Sequence, residues 1–364
     1  MCEPARPEVR VESGGLMSAR SRAPESAEQP ENPAAADPGA KASGRRSGPD
    51  NRSLKQIAWQ RLRRDKVAMV SGIVVVLLIL AAALAPLLAK WFGYPPTQYH
   101  QELIDPVRRV PYIDPDNPGL GTDPWGAMSS DHLLGVEPTT GRDLFSRIVY
   151  GAQISLLVAF LSTLVCVALG TVMGIIAGYV GGWVDTVISR AMDIFLAFPL
   201  MLFAIALVGV IPEGVFGLEG NGLRIGVIVF IIGFFNWPYI ARIVRGQTLA
   251  LREREFVEAS RSLGASTGHI LMREILPNLV TPIIVYATLL IPTNILFEAA
   301  LSFLGVGINP PTPSWGKMLS EAVPLYQQAP YFIIIPGLAI FVTVLAFNLF
   351  GDGLRDAFDP KTSD

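Results

Sequence analysis

Charge is scarce in this chain. Only 16% of its 364 residues are Asp, Glu, Lys or Arg, against about 25% in soluble globular domains. With 51% apolar residues, the balance points to an integral membrane protein. Cysteine is nearly absent. Cys2 lies in a polar stretch and Cys166 inside an apolar run, which argues against a disulfide framework. His100, His132 and His269 are far apart in sequence, so no metal-ligand spacing exists. No G-x-x-x-x-G-K-[ST] loop occurs, so the chain has no phosphate cradle of its own. There is no basic tract with interleaved aromatics, which excludes a nucleic-acid partner.

Residues 1–50 contain no Phe, Trp, Tyr or Ile. Such a segment buries too little apolar surface to offset its ordering entropy and is expected to be a disordered cytoplasmic tail. It has no apolar core of a secretory signal, and Met17 offers a second start. Residues 51–66, with LKQIAWQRLRRDK at 54–66, are basic with Ile57, Trp59 and Leu62 interspersed. They fit a short helix lying at the membrane interface.

What the chain does have is long apolar runs, at about 67–89, 154–180, 194–211, 225–243, 279–302 and 331–350. Each is near the ~20 residues that cross a ~30 Å hydrocarbon core as a helix. The fold class expected is therefore all-α, with six transmembrane helices: a first span, an extracytoplasmic loop at 90–153, and a core of five spans over 154–350. Arg52, Lys55, Arg61, Arg63, Arg64 and Lys66 cluster before the first span and should stay inside. Both termini, the loops 181–193 and 244–278, and the tail 351–364 are then cytoplasmic. Loops 212–224 and 303–330 face out.

The stretch EFVEASRSLGASTGHILMREILPN (255–278) is polar between two greasy spans. Phe256, Ala259, Ser260 and Leu263 fall on one helical face. Gly264 suits the left-handed position that ends a helix. Ser266 or Thr267 can cap a second short helix, which Pro277 should close. GASTG also spells G-x-S-x-G, but a nucleophile elbow needs a strand before the serine, and a charged helix precedes it here.

Gly170, Gly174 and Gly178 recur every four residues along the second span, a stripe that lets helix backbones approach closely in lipid. Gly181-Gly182 read as a turn. Arg190 and Asp193 can pair on one helix turn, as a structural ion pair or a gating contact. Glu298 faces the translocation path or reaches water at its helix end. Pro199, Pro238 and Pro292 can kink their spans. Pro310, Pro311 and Pro313 make a rigid outer loop carrying Trp315 near the membrane surface.

Glu258-Ala259-Ser260, three residues, Gly264, then Leu276-Pro277 resembles the EAA loop of ATP-binding-cassette importer permeases. Ser260 stands where the commonest pattern has alanine, and Glu274 where isoleucine is usual. HLLGVEPTTGRDLFSRIVYGAQISL (132–156) is similar to a block of the peptide branch, with Val136-Glu137 in place of Thr-Asp and Gln153 in place of arginine. FEAALSFLGVGINPPTPSWGKML (297–319) is similar to its fifth span and outer loop. The match is to the C-type permease subunit of dipeptide/oligopeptide importers, whose close relatives carry nickel or glutathione.

That resemblance implies a type I ABC importer permease fold, in the inner membrane of a prokaryote, with transport rather than enzymatic activity. It implies a second permease subunit, two ATPase subunits that carry the ATP and Mg2+, and an extracytoplasmic substrate-binding protein, with peptides as cargo and no cofactor on this chain. Glu255, Glu258, Ala259, Ser260, Gly264, Ala265, Ser266 and Pro277 would form the ATPase-coupling loop. Trp315 would contact the binding protein. An ion-coupled secondary transporter would instead show paired broken spans, and no clear pair is visible.

Overall fold

A computed structural model describes residues 54–210, 214–215 and 218–358; the disorder expected for residues 1–50 falls outside them. The described chain is helical, apart from a two-stranded hairpin, Gly214–Val215 with Leu218–Glu219. Helix α1 (Leu54–Arg64) precedes α2 (Lys66–Ala83) and α3 (Ala85–Phe92). The long α4 (Leu144–Val180) leads into α5 (Gly182–Ala197), α6 (Leu200–Val210) and α7 (Gly220–Arg252). Then come α8 (Glu255–Ser262), α9 (Thr267–His269), α10 (Leu276–Phe303), α11 (Trp315–Ala322) and α12 (Tyr331–Phe358).

Among the described residues, five helices are long and apolar enough to span a membrane: Lys66–Ala83, Leu144–Val180, Gly220–Arg252, Thr267–Phe303 and Tyr331–Phe358. The run at 194–211 is not one straight span. It crosses a break between α5 and α6, which diverge by 78° and make a sixth span only if taken together. Phe198, just before Pro199, is extended at φ −80°, ψ 129°, because a following proline disfavours the helical region. Pro238 and Pro292 lie inside continuous helices. So do Pro282 and Pro336, so a proline by itself does not end a helix in this bundle.

Two of the expected cytoplasmic segments are more ordered than their polarity suggests. Residues 181–193 are not a loop but the start of α5, and the tail from 351 continues α12 through Phe358. The segment 90–153, expected outside, is folded too, with isolated bridges pairing Ile104 with Pro111, Tyr112 with Thr122 and Val136 with Asp143.

Local chemistry sets the helix ends. Asp65 caps α2, its carboxylate accepting from the Val67 and Ala68 N–H groups at 2.9 and 3.1 Å. Asp143 caps α4, accepting from the Ser146 N–H at 2.8 Å. Gly181, at φ +70°, ends α4. Capping satisfies backbone donors that have no partner inside the helix.

The three-glycine stripe lies against α7. A Cβ on Gly170 would stand 2.8 Å from the Trp237 carbonyl oxygen, one on Gly174 2.7 Å from that of Ala241, and one on Gly178 2.8 Å from that of Arg245. Only glycine permits so close an approach. Gly233 of α7 reciprocates, facing the Ser162 carbonyl oxygen of α4 at 2.9 Å. The two helices run parallel, since their contacts advance together along both, and they are joined backbone to backbone in a medium where the hydrophobic effect does not drive helix association.

Candidate functional site

The segment after α7 forms a compact knob. Arg254 begins α8, its carbonyl accepting from the Val257 and Glu258 N–H groups at 3.0 and 3.1 Å. Glu255 and Glu258 occupy the first turn, where negative charge complements the helix dipole. The helix ends in a Schellman motif. The Ala265 N–H donates to the Ser260 carbonyl at 3.1 Å and the Gly264 N–H to that of Arg261 at 3.0 Å, while Gly264 sits at φ +80°. That left-handed conformation is glycine's. Ser266 then caps α9, accepting from the His269 N–H at 3.4 Å. So the G-x-S-x-G letters are a helix stop and a helix start, with no strand beside them.

Val257 is fully buried with Ile270, Ile275 and Leu279 against Val244 and Ile240 of α7. This pins the knob to the bundle. The face made by Phe256, Ala259 and Leu263 points away from it: Leu263 is 88% exposed and Phe256 40%. Ser260 is half-buried and Ala265 likewise, whereas Glu255, Glu258, Ala259, Gly264 and Ser266 are exposed. The guanidinium of Arg261 lies over the Tyr179 ring at 5.8 Å, tying α8 to the end of α4.

Pro277 does not close the second helix. α9 passes through a π-helical turn, Ile270–Ile275, directly into α10. Pro277 falls in the first turn of α10, and its missing N–H is absorbed by the widened turn. Asn278 donates from Nδ2 to the Glu274 carbonyl at 2.6 Å, satisfying an acceptor beside the distortion. The result is one helical body, Thr267–Phe303, from the knob into the span.

Charged residues join α5 to α7 on the same side. Arg245 holds Asp185 through two bonds, at 2.5 and 2.6 Å. Asp193 lies 3.7 Å from Arg190, but Arg242 of α7 is nearer at 2.6 Å. The Arg190–Asp193 turn is thus half of a bridge between helices. Sequence spacing reveals the i, i+3 pair; Asp185 and Arg242 pass unnoticed because their partners are distant in sequence.

At the opposite end, the block 132–156 folds around a buried carboxylate. Glu137, at the position where the family pattern has aspartate, meets Arg142 Nε at 2.5 Å and Arg147 Nε at 3.3 Å. Arg147 also reaches Glu321 of α11 at 3.2 Å. Burial and the neighbouring Glu137 carboxylate hold the Glu321 carboxyl above the usual range, against the pull of Arg147 and Arg142. His100 and His132, distant in sequence, bring their rings to 5.2 Å. Even so, no group of three metal-ligating side chains occurs among the described residues.

Two expectations for outer residues are overturned. Glu298 neither lines a path nor reaches water. It is fully buried and accepts from the Ser155 and Ser302 hydroxyls at 2.8 and 2.7 Å. Ser155 of α4 supplies a partner 143 positions away, which the chain's local pattern does not disclose. Trp315 is not presented to a binding protein: it is buried, starts α11 behind the Ser314 cap, and donates from Nε1 to the Ile148 carbonyl at 3.0 Å.

Between α7 and α10 lies an open cleft of about 360 Å³, lined by Asn236, Tyr239, Tyr286, Thr293 and Phe297 among others. Ile240, Ile243, Leu289 and Leu290 complete a lining that is largely apolar.

The described residues form a bundle of membrane-length helices with a polar, capped knob between two of them. Residues 170–364 match the family described as binding-protein-dependent transport system inner membrane component. Residues 53–108 match the N-terminal TM domain of oligopeptide transport permease C. The chain belongs to this family: it is a permease subunit of an ATP-binding-cassette importer, multi-pass in a bacterial inner membrane. It is 43% identical, over 83% of its length and 89% of theirs, to the glutathione transport system permease proteins GsiD of Escherichia coli O6:K15:H31 and Shigella boydii serotype 4. The inward-facing MetNI methionine ABC transporter overlays on 59% of this chain and 97% of its own with a TM-score of 0.47 and 20% identity.

Proposed function

We propose that this subunit forms half of a pathway for small peptides, glutathione included, and that it is driven by ATPase subunits docked on the α8 knob. The observation that carries the reading is the knob itself. An apolar face, Phe256–Ala259–Leu263, is left exposed on a segment otherwise fixed by buried Val257 and a complete Schellman stop. An exposed apolar face held rigid suits a partner's groove.

The rest follows from the connections. A second permease chain completes the pathway against the α7–α10 cleft, where Tyr239, Tyr286 and Thr293 meet the cargo. Two ATPases bind and hydrolyse ATP with Mg2+ on the cytoplasmic side, and a binding protein delivers cargo outside. Both termini are cytoplasmic, as the basic cluster before α2 requires. When the ATPases close, the knob moves and α10, continuous with it, carries the motion to the cleft. Coupling requires that the knob's contacts differ in strength between inward and outward states. The cargo assignment leans on the glutathione permeases at 43% identity, with nickel the alternative within the same family.

The test is purification of the intact complex from native membrane, with uptake of labelled glutathione and of a dipeptide. Co-purifying Walker-motif subunits and peptide-stimulated ATP hydrolysis support the reading. Uptake driven by an ion gradient, without such subunits, overturns it.

A further inference from the structure

An open apolar groove of about 440 Å³ runs between α2 and α12. Its floor is Ser71 and Ala346, both buried, and its walls include Val67, Val70, Leu345 and Leu349, all exposed. The Ser71 hydroxyl is engaged with the Val67 and Ala68 carbonyls of its own helix, at 2.8 and 3.0 Å, so the floor offers no free polar group. One end is Lys66. Val74 lies eight residues further along α2, about 12 Å at 1.5 Å per residue. That length is most of one leaflet, about half of a ~30 Å hydrocarbon core.

The Lys66 end is charged. Arg63 and Arg64 close α1 beside it, and all three are exposed. The Arg63 guanidinium lies 5.0 Å above the exposed Trp59 ring, and tryptophan favours the depth of lipid headgroups. Nearby acids offset this charge only in part. The Asp65 carboxylate accepts from two backbone N–H groups of α2, and Asp352 and Asp356 on α12 flank Arg355.

We propose that this groove is a binding site for an anionic phospholipid. One acyl chain lies along Ser71 and Ala346, and the phosphate sits against Lys66, Arg64 and Arg63. Juxtamembrane cations recognise anionic headgroups, and here the shape fixes where the chain below the headgroup goes. A helix of another protein is the poorer occupant, since it would bury Lys66 against apolar walls at a desolvation cost that an anionic headgroup offsets.

Native mass spectrometry of the full chain, purified with equal amounts of phosphatidylglycerol and phosphatidylcholine of matched acyl chains, tests this. Phosphatidylglycerol should be retained in preference. The triple variant Arg63→Gln, Arg64→Gln, Lys66→Gln should lose that preference, by about fivefold per charge removed. Val70→Trp, which keeps the charge and fills the groove, should lower retention of both lipids. The single variant Lys66→Gln serves if the triple variant does not fold. Equal retention of the two lipids by the unaltered chain overturns the proposal. So does an unchanged preference in the charge variants, or cross-linking of Val70→Cys to protein instead of lipid in native membranes.

Discussion

Arg245 grips Asp185 through two parallel bonds, Nε to Oδ1 at 2.5 Å and Nη2 to Oδ2 at 2.6 Å. This fork is the geometry in which arginine and a carboxylate bind most strongly, and it ties α5 to α7 at the mouth of the bundle. Arg245→Lys keeps the charge but loses the fork. A double-mutant cycle with Asp185→Ala should give a coupling of about 1–2 kcal/mol, read as thermal unfolding of the purified complex. Additive single effects would show that the pair holds nothing.

Gly264 has open space around its missing Cβ but a φ of +80°. Gly264→Ala therefore meets no clash, and its cost is conformational, about 1–2 kcal/mol. Gly264→Pro also removes the N–H that reaches Arg261. We expect the proline variant to stay in the membrane while peptide no longer stimulates ATP hydrolysis in the reconstituted complex. Normal stimulation would sink the coupling role of the knob.

Gly174 and Gly246 make a matched pair of opposites. A Cβ on Gly174 would stand 2.7 Å from the Ala241 carbonyl oxygen, whereas one on Gly246 meets nothing within 4 Å. Gly174→Ala should destabilise by roughly 1–3 kcal/mol through overpacking. Gly246→Ala, inside α7, should stabilise by about 0.5–1 kcal/mol. Melting temperatures that move the same way for both would refute the close-packing account.

Glu321 holds its proton more tightly in the folded chain than an ordinary carboxylate, because of burial first and Glu137 second. Its contribution to stability is thus complete below the ordinary carboxylate range, about pH 4.3, and is lost as pH rises through its raised value. Glu321→Gln cannot ionise and should flatten that part of the stability profile. The check is the unfolding midpoint from about pH 4 to about pH 8, and an unaltered slope would count against it.

Arg147 is buried between Glu137 and Glu321. Arg147→Ala leaves Glu137 with Arg142 but takes from Glu321 its nearest cation, and should cost about 1–3 kcal/mol, with Arg147→Met less damaging when combined with Glu321→Gln. Thermal unfolding of the single and combined variants decides between them.

The elements that could be read from residues alone were those set by neighbours in the chain. Gly264 and Ser266 stop and start helices by rules a few residues long, and apolar runs mark spans by length. Pro199 follows an extended Phe198 and breaks its span, whereas Pro238 lies inside a continuous helix; hydropathy does not separate the two. Glu298 and Trp315 were misplaced for a related reason. Their partners, Ser155 and Ile148, lie more than a hundred positions away. Pro277 misled because a π-turn let the helix continue through a residue that ordinarily ends one.

The glycine stripe has a mechanical consequence. Where α4 and α7 touch backbone to backbone, sliding one past the other would require each carbonyl ridge to climb over its neighbour. The pair resists shear along the length of the stripe. The 78° elbow between α5 and α6 lies outside that contact and is not held by it.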